Sequence, residues 1–241
     1  ILREPQPIEE ADYLVIESTY GDRLHEQDGE DKVEAFRKLI VETAARGGRL
    51  IIPAFAVGRT QEILYHINQF VEAGTIPSLP VFVDSPMALK VLDIYRAALR
   101  EGRRDLRQGV EGLLDVAGLR EARTSLESKE LNDPGSPCII ISASGMAAGG
   151  RVVHHLKYLL PQERNSVVLV GYQAIGTRGR DLVEGATALK MHGRYVPVRA
   201  EVTQIDGFSV HADGDELLEW ASSMVEPPTT GNTVIGVVAT N

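Results

Sequence analysis

The stretch Arg49-Leu50-Ile51-Ile52-Pro53-Ala54-Phe55-Ala56-Val57-Gly58-Arg59-Thr60 carries the signature of an α/β architecture. Arg49 to Ile52 is a short apolar run of the kind that makes a strand buried on both faces. It runs into small residues and a glycine, and from Thr60 to Glu72 apolar residues recur at helical spacing. Strand, glycine turn and helix form the repeating unit of an open α/β sheet, which builds ligand sites at the carboxyl ends of its strands.

The same unit recurs on either side. Tyr13 to Ile16, Val81 to Val83, Cys138 to Ile141 and Ser166 to Val170 read as further strands, and Lys32 to Ala45, Ala88 to Leu99 and Arg151 to Leu160 as further helices. Their alternation predicts a parallel sheet. Three more strand ends carry small, hydroxyl or glycine residues: Asp84-Ser85-Pro86-Met87, Ser142-Ala143-Ser144-Gly145-Met146 and Gly171-Tyr172-Gln173-Ala174-Ile175-Gly176-Thr177. Glycine admits a ligand close to the backbone, and N–H groups at a helix start favour phosphate oxygens. Each end alone could equally be a structural helix cap; four together point to a phosphate-bearing ligand.

From Gly102 to Asn132 the pattern turns charged and weak, with Arg103-Arg104 and isolated glycines. It reads as a helical excursion or mobile insert, either a solvated surface or an RNA-binding arm. After Gly185, Leu189-Lys190-Met191, a turn at His192-Gly193-Arg194 and the alternation from Val196 to Ile205 predict an antiparallel hairpin leaving the parallel sheet. A helix is expected from about Asp213 to Met224, and Thr233 to Val238 reads as a buried strand. The chain shows no internal repeat and no low-complexity segment.

A length of 241 residues with 43% hydrophobic content suits one domain plus part of another. No run of eighteen or more apolar residues occurs in it, and Ile1 opens a polar stretch rather than a leader, so a soluble protein without an export signal is expected. The lack of an initiator Met and the abrupt strand-like ends suggest a fragment. Cys138 is the single cysteine, which excludes a disulfide framework and fits a reducing cytoplasm. A net charge of −9 disfavours holding nucleic acid by bulk electrostatics, so an RNA ligand would need a local groove.

Two residues stand out for acid–base chemistry. Glu17, in Ile16-Glu17-Ser18-Thr19-Tyr20-Gly21-Asp22-Arg23, closes the first strand, where it could exchange protons or orient a partner; it could equally cap a turn. His211, in Phe208-Ser209-Val210-His211-Ala212-Asp213, precedes a helix and could be catalytic, a helix cap or half-buried. The other histidines form no metal constellation. His154 and His155 are adjacent and face different ways, His66 lies on an amphipathic helix, and His25 and His192 lie in turns.

Glu-Ser-Thr-Tyr-Gly-Asp at 17–22, Ile-Pro-Ala-Phe-Ala-Val-Gly-Arg-Thr-Gln-Glu at 52–62, Asp-Ser-Pro-Met-Ala at 84–88, Ser-Ala-Ser-Gly-Met at 142–146, Gly-Tyr-Gln-Ala at 171–174 and Phe-Ser-Val-His-Ala-Asp at 208–213 span almost the whole chain. In this order they resemble the β-CASP branch of the metallo-β-lactamase superfamily, which includes ribonuclease J and the endonuclease subunit of the pre-mRNA 3′-end cleavage machinery. The resemblance implies a Rossmann-like α/β β-CASP domain at 19–200, inserted into an αββα metallo-β-lactamase domain of which 1–18 and 201–241 are parts.

It also implies a zinc-dependent, cytoplasmic ribonuclease acting on single-stranded RNA, with a homodimer as one form open to it. Cutting would be internal or 5′ to 3′ from an end, by a zinc-bound hydroxide under a two-metal clamp. Glu17 matches the family's motif A acid and His211 its motif B histidine, the latter protonating the leaving oxygen or stabilising its charge. Ser142, Ser144, Gly145, Gly176, Thr177 and Arg178 would line the RNA path with Thr60 and Ser85, and Arg59 and Arg151 would supply charge.

The family's other zinc ligands would fall before Ile1, and the terminal Val-His-Gly-Glu segment reads Val237-Val238-Ala239-Thr240-Asn241 here, with Ala239 at the histidine. The two-zinc centre is therefore not expected to assemble from these residues, and the chain is expected to be inactive alone. A catalytically inert RNA-binding scaffold is the alternative. A nucleotide-binding α/β enzyme of other chemistry would leave Glu17 and His211 without a role.

Overall fold

The structure is a computed structural model that describes residues 3, 5–22, 24, 29–103, 106, 107, 114–133, 135–205, 208, 211–226 and 230–234. It divides into two compact units, one over Asp28–Phe208 with Ile1, the other formed by Leu2–Gln27 together with Ser209–Asn241.

The larger unit carries β2 (Arg49–Pro53), β3 (Val81–Asp84), β4 (Leu119–Glu121), β5 (Cys138–Ser142), β6 (Ser166–Leu169) and β9 (Glu201–Gln204) in one sheet, ordered β4-β3-β5-β2-β6-β9. Every neighbouring pair in it runs parallel. Successive strand residues point to opposite faces, and here both faces are covered. Leu50, Ile52, Ile139, Ile141 and Val168 belong to one apolar core. It also contains Phe36 and Ile40 of α1 (Gly29–Ala45), Ile63, Leu64 and Ile67 of α2 (Arg59–Glu72), and Leu89 and Leu92 of α3 (Pro86–Arg100). The alternate residues Ile51, Ile140, Val167 and Leu169 pack on the other face. There they meet Val152, Leu156 and Leu159 of α5 (Arg151–Leu159), Leu182 of α6 (Arg178–Val183), and Leu189, Met191 and Val196 of the hairpin β7 (Ala188–Met191)–β8 (Arg194–Pro197). The uninterrupted apolar runs in the sequence are this double burial.

The hairpin turns through His192 (φ 48°) and Gly193 (φ 77°), the two positive φ values that a two-residue turn matched to strand twist requires. Gly48 answers a different need. A Cβ there would lie 1.7 Å from the Arg164 carbonyl oxygen, a backbone atom that cannot swing aside. Gly48→Ala is therefore expected to cost about 3 kcal/mol, at the upper end for overpacking, read as a lower urea midpoint with unchanged slope. An unchanged midpoint would mean that the backbone at Arg164 yields freely.

Four expectations are corrected. Tyr13 to Ile16 does form a strand, β1 (Tyr13–Glu17), but it lies outside the large sheet and pairs in parallel with β10 (Thr230–Val234) in a separate two-stranded sheet. Pairing in another sheet leaves no mark on a strand's own periodicity. The charged stretch 102–132 is no mere surface: it supplies β4, α4 (Ser125–Glu130) and the buried Leu106, Leu114, Val116, Ala122 and Leu131. Arg104 lies outside the described residues. The alternating run Val196 to Ile205 is two elements: β8 closes the hairpin, and β9 returns to the large sheet beside β6. Finally, α7 spans Gly214–Ala221, shorter than expected at both ends, because Asp213 is its N-cap and the helix closes at Ser222.

In the smaller unit, Asp213 Oδ1 accepts the Glu216 N–H at 2.9 Å while the Glu216 carboxylate accepts the Asp213 N–H at 2.9 Å, a reciprocal cap. Trp220 Nε1 donates to the Gln6 carbonyl at 2.9 Å, fastening α7 to the leading segment. The expected strand end at Ile235 to Val238, and Ala239, lie outside the described residues. No helix among the described residues is long and apolar enough to cross a membrane.

Candidate functional site

Glu17 is the last residue of β1, and His211 lies just before the cap of α7. The structure brings them together: His211 Nδ1 is 3.3 Å from Glu17 Oε2. The carboxylate is held from two sides. Its Oε2 accepts the Thr19 N–H at 3.0 Å, and its Oε1 accepts the N–H of Ala212, 195 residues later in the chain, at 3.1 Å. Burial pushes the Glu17 carboxyl up, but the Thr19 and Ala212 hydrogen bonds and the His211 imidazole outweigh it and leave the group below its ordinary range. Tyr20 meets the His211 ring edge-on at 5.9 Å, and Tyr20 pairs with Asp213 in a short parallel bridge. Both acid and imidazole side chains keep about two-fifths of their surface exposed (40% and 43%), so they remain reachable from solvent. A carboxylate that fixes one ring nitrogen of a histidine and leaves proton exchange to the other is a general acid–base arrangement. Sequence reading missed Tyr20 as a neighbour of His211, although it sits in the same Glu-Ser-Thr-Tyr motif.

The remaining candidates lie in the larger unit, at the ends of β3, β5, β2 and β6 and in the loops and first helical turns that follow, four adjacent strands in the sheet order. Ser85 caps α3 by accepting the Ala88 N–H at 3.2 Å, and Thr177 caps α6 by accepting the Arg180 N–H at 3.3 Å. The Thr60 hydroxyl donates to the Phe55 carbonyl at 2.8 Å, and Ser144 Oγ accepts the Ala148 N–H at 3.2 Å. Gly176 (φ 83°) has open space where a side chain would stand. Arg178 donates to the carbonyls of Lys190 at 3.0 Å and Ala148 at 2.9 Å, joining the hairpin to the loop after β5. Arg59 is buried, and its Nη1 donates to the Val170 carbonyl just past β6.

A charged network that the sequence did not disclose underlies these loops. Asp84, fully buried at the end of β3, accepts from Arg151 Nη1 at 2.6 Å and from the Ser128 hydroxyl at 2.6 Å, and faces His155 Nε2 at 2.5 Å. Its carbonyl accepts the Ser142 hydroxyl at 2.8 Å, and His155 Nδ1 lies 3.1 Å from Asn132 Oδ1. Burial pushes the Asp84 carboxyl up, and the His155, Ser128 and Arg151 hydrogen bonds more than reverse this, leaving it low. Arg151 and Ser142 are thus engaged beneath the loops. Of the adjacent histidines, His155 faces inward, while His154 stacks on His192 at 4.5 Å. Among the described residues, no group of three or more His, Cys, Asp or Glu could hold a metal ion, so these residues do not fit a two-zinc centre.

The larger unit is thus a Rossmann-like parallel α/β domain with its chemistry-bearing loops on one strand edge, and the smaller unit holds an acid–imidazole pair. Residues 60–182 match the family model of the Beta-Casp domain, and residues 195–235 that of the Zn-dependent metallo-hydrolase RNA specificity domain. The chain belongs to the β-CASP family of the metallo-β-lactamase superfamily. It is 39% identical over 224 residues to Ribonuclease TTHA0252 of Thermus thermophilus, covering 91% of this chain and 51% of that protein. It is 37% identical over 223 residues to an RNase J-like protein of Methanocaldococcus jannaschii, with the same coverage of 91% and 51%. With the Transcription termination factor FttA of Thermococcus kodakarensis it shares 34% over 233 residues, 92% of this chain and 36% of that protein. The chain therefore spans about half the length, or less, of these curated relatives.

Proposed function

We propose that this chain is part of a zinc-dependent ribonuclease that cleaves single-stranded RNA, internally or 5′ to 3′ from an end, in the cytoplasm and with a homodimer as one possible form. The observation that carries the reading is the approach of His211 to Glu17 at 3.3 Å, with the carboxylate pinned by two backbone N–H groups. The RNA specificity domain match at 195–235 and the ribonuclease among the relatives support RNA as the substrate. Glu17 and His211 are assigned the catalytic roles: Glu17 holds Nδ1, and Nε2 carries the proton passed to the leaving oxygen as the oxygen of a water molecule bonds to phosphorus and the phosphodiester P–O bond breaks.

In this reading 1–18 and 201–241 belong to the metallo-β-lactamase domain and 19–200 to the β-CASP domain. Zinc would be held by residues other than those described. Ser144, Gly145 and Gly176 present the strand-end backbone to RNA phosphates, and Arg178 joins them; Thr60 and Thr177, bonded to the Phe55 and Ala174 carbonyls, and Ser85, the buried cap of α3, shape those loops from within. Arg59, Arg151 and Ser142, engaged as they are, act by holding the loops in place. The natural protein, supplied with zinc, is expected to cut a single-stranded RNA and to lose this activity to a chelator. A protein that binds the RNA with zinc present and never cuts it would instead be the inert scaffold.

A further inference from the structure

The chain has five phenylalanines; Phe36, Phe70 and Phe208 are buried, Phe82 is half-buried, and Phe55 alone is exposed, at 41%. It is nonetheless fixed. Its carbonyl accepts both the Thr60 N–H at 3.2 Å and the Thr60 hydroxyl at 2.8 Å, and the preceding residue, Ala54, donates its N–H to the Ser142 carbonyl at 3.1 Å. Its ring rests on Gly145, where an added Cβ would lie 2.8 Å and 2.9 Å from two ring carbons. The Gly145 carbonyl in turn accepts Gln173 Nε2 at 3.2 Å. The loops after β2 and β5 therefore meet at the ring, and the loop after β6, the neighbouring strand, is tied to the same glycine. A glycine that makes room for a ring, and a backbone pinned on both sides of it, hold an apolar surface toward solvent that burial alone would have hidden.

We propose that Phe55 is a stacking platform for a nucleobase of single-stranded RNA; this rests on the ribonuclease reading above. The charge of the chain favours such a device. At −9 it offers an anionic ligand little bulk attraction, so affinity must come from contacts that do not depend on charge. A base presents a π-face whatever its identity, and a rigid aromatic binds that face at low entropic cost. Val57 (62% exposed) and Ile175 (82% exposed), on the loops after β2 and β6, add further exposed apolar side chains at the same strand edge. Gly145, read from the sequence as a phosphate contact, has a second purpose here, as the seat of the ring.

The test measures binding of a short single-stranded oligoribonucleotide by fluorescence anisotropy, to the wild-type protein, Phe55→Ala and Phe55→Leu. The same RNA is then used with one base removed, position by position. Both variants are expected to keep the wild-type urea midpoint within error and to bind about 5- to 100-fold more weakly. At one position, base removal should weaken wild type by a similar factor and Phe55→Ala hardly at all. If wild type binds and Phe55→Ala binds equally well, the platform is wrong and the ribonuclease reading stands. Weakening by Phe55→Ala but not by Phe55→Leu would show that apolar bulk is what matters, which also overturns stacking. If wild type binds no single-stranded RNA, both fall together.

Discussion

Asp84→Ala is expected to lower the protein's stability by about 3–5 kcal/mol, because it leaves the Arg151 guanidinium and the His155 ring buried without the carboxylate they face. Asp84 and His155 are fully buried and Arg151 is 20% exposed, so water can compensate only at the guanidinium. Urea denaturation would show a lower midpoint; an unchanged midpoint would mean that the network contributes no net stability. The pH dependence has a definite sign. The Asp84 carboxyl is held below its ordinary value, so its contribution is complete above the unfolded pKa of about 4 and fades as pH falls through the lower folded value. Asp84→Asn should therefore be less stable than wild type at neutral pH, and the gap should narrow as the medium is acidified. A gap that widens in acid would mean that the carboxylate is not the stabilising form.

This network also marks where sequence reading stops. Short uninterrupted apolar runs, helical spacing and glycine turns are local signals, so β2, β3, β5 and β6 and the helices α2, α3 and α5 were legible almost to the residue. Asp84 was visible only as part of a strand end, since its partners Ser128, Arg151 and His155 lie 44, 67 and 71 residues away. No periodicity connects such positions. His155 next to His154 gave no hint of which one turns inward. The stretch 102–132 misled for a related reason: its buried Leu106, Leu114, Val116 and Leu131 are scattered among charges without a helical or strand period. Glu17 and His211 were each equivocal locally. Their order within the string of family motifs paired them, and the structure shows the contact at 3.3 Å.

That contact leads to the other large effect. In the natural protein, His211→Ala is expected to slow RNA cleavage by about 10²- to 10⁴-fold, the range for removing a positioned general acid. RNA affinity should change little, because the imidazole would act on the leaving oxygen rather than hold the ground-state substrate. Glu17→Gln should also slow cleavage strongly. An amide at 17 keeps the shape but loses the charge facing His211, and its NH₂ cannot accept from Thr19 or Ala212 as the carboxylate does. The Glu17 carboxyl is held low, so wild-type activity should retain this group's contribution down to a pH below the ordinary carboxylate range, then lose it as the carboxylate takes up a proton. Because the acid acts through the imidazole, the double variant should be scarcely slower than His211→Ala alone. Multiplying losses would show that the two side chains work independently, and cleavage by His211→Ala at the wild-type rate would remove the histidine from the chemistry.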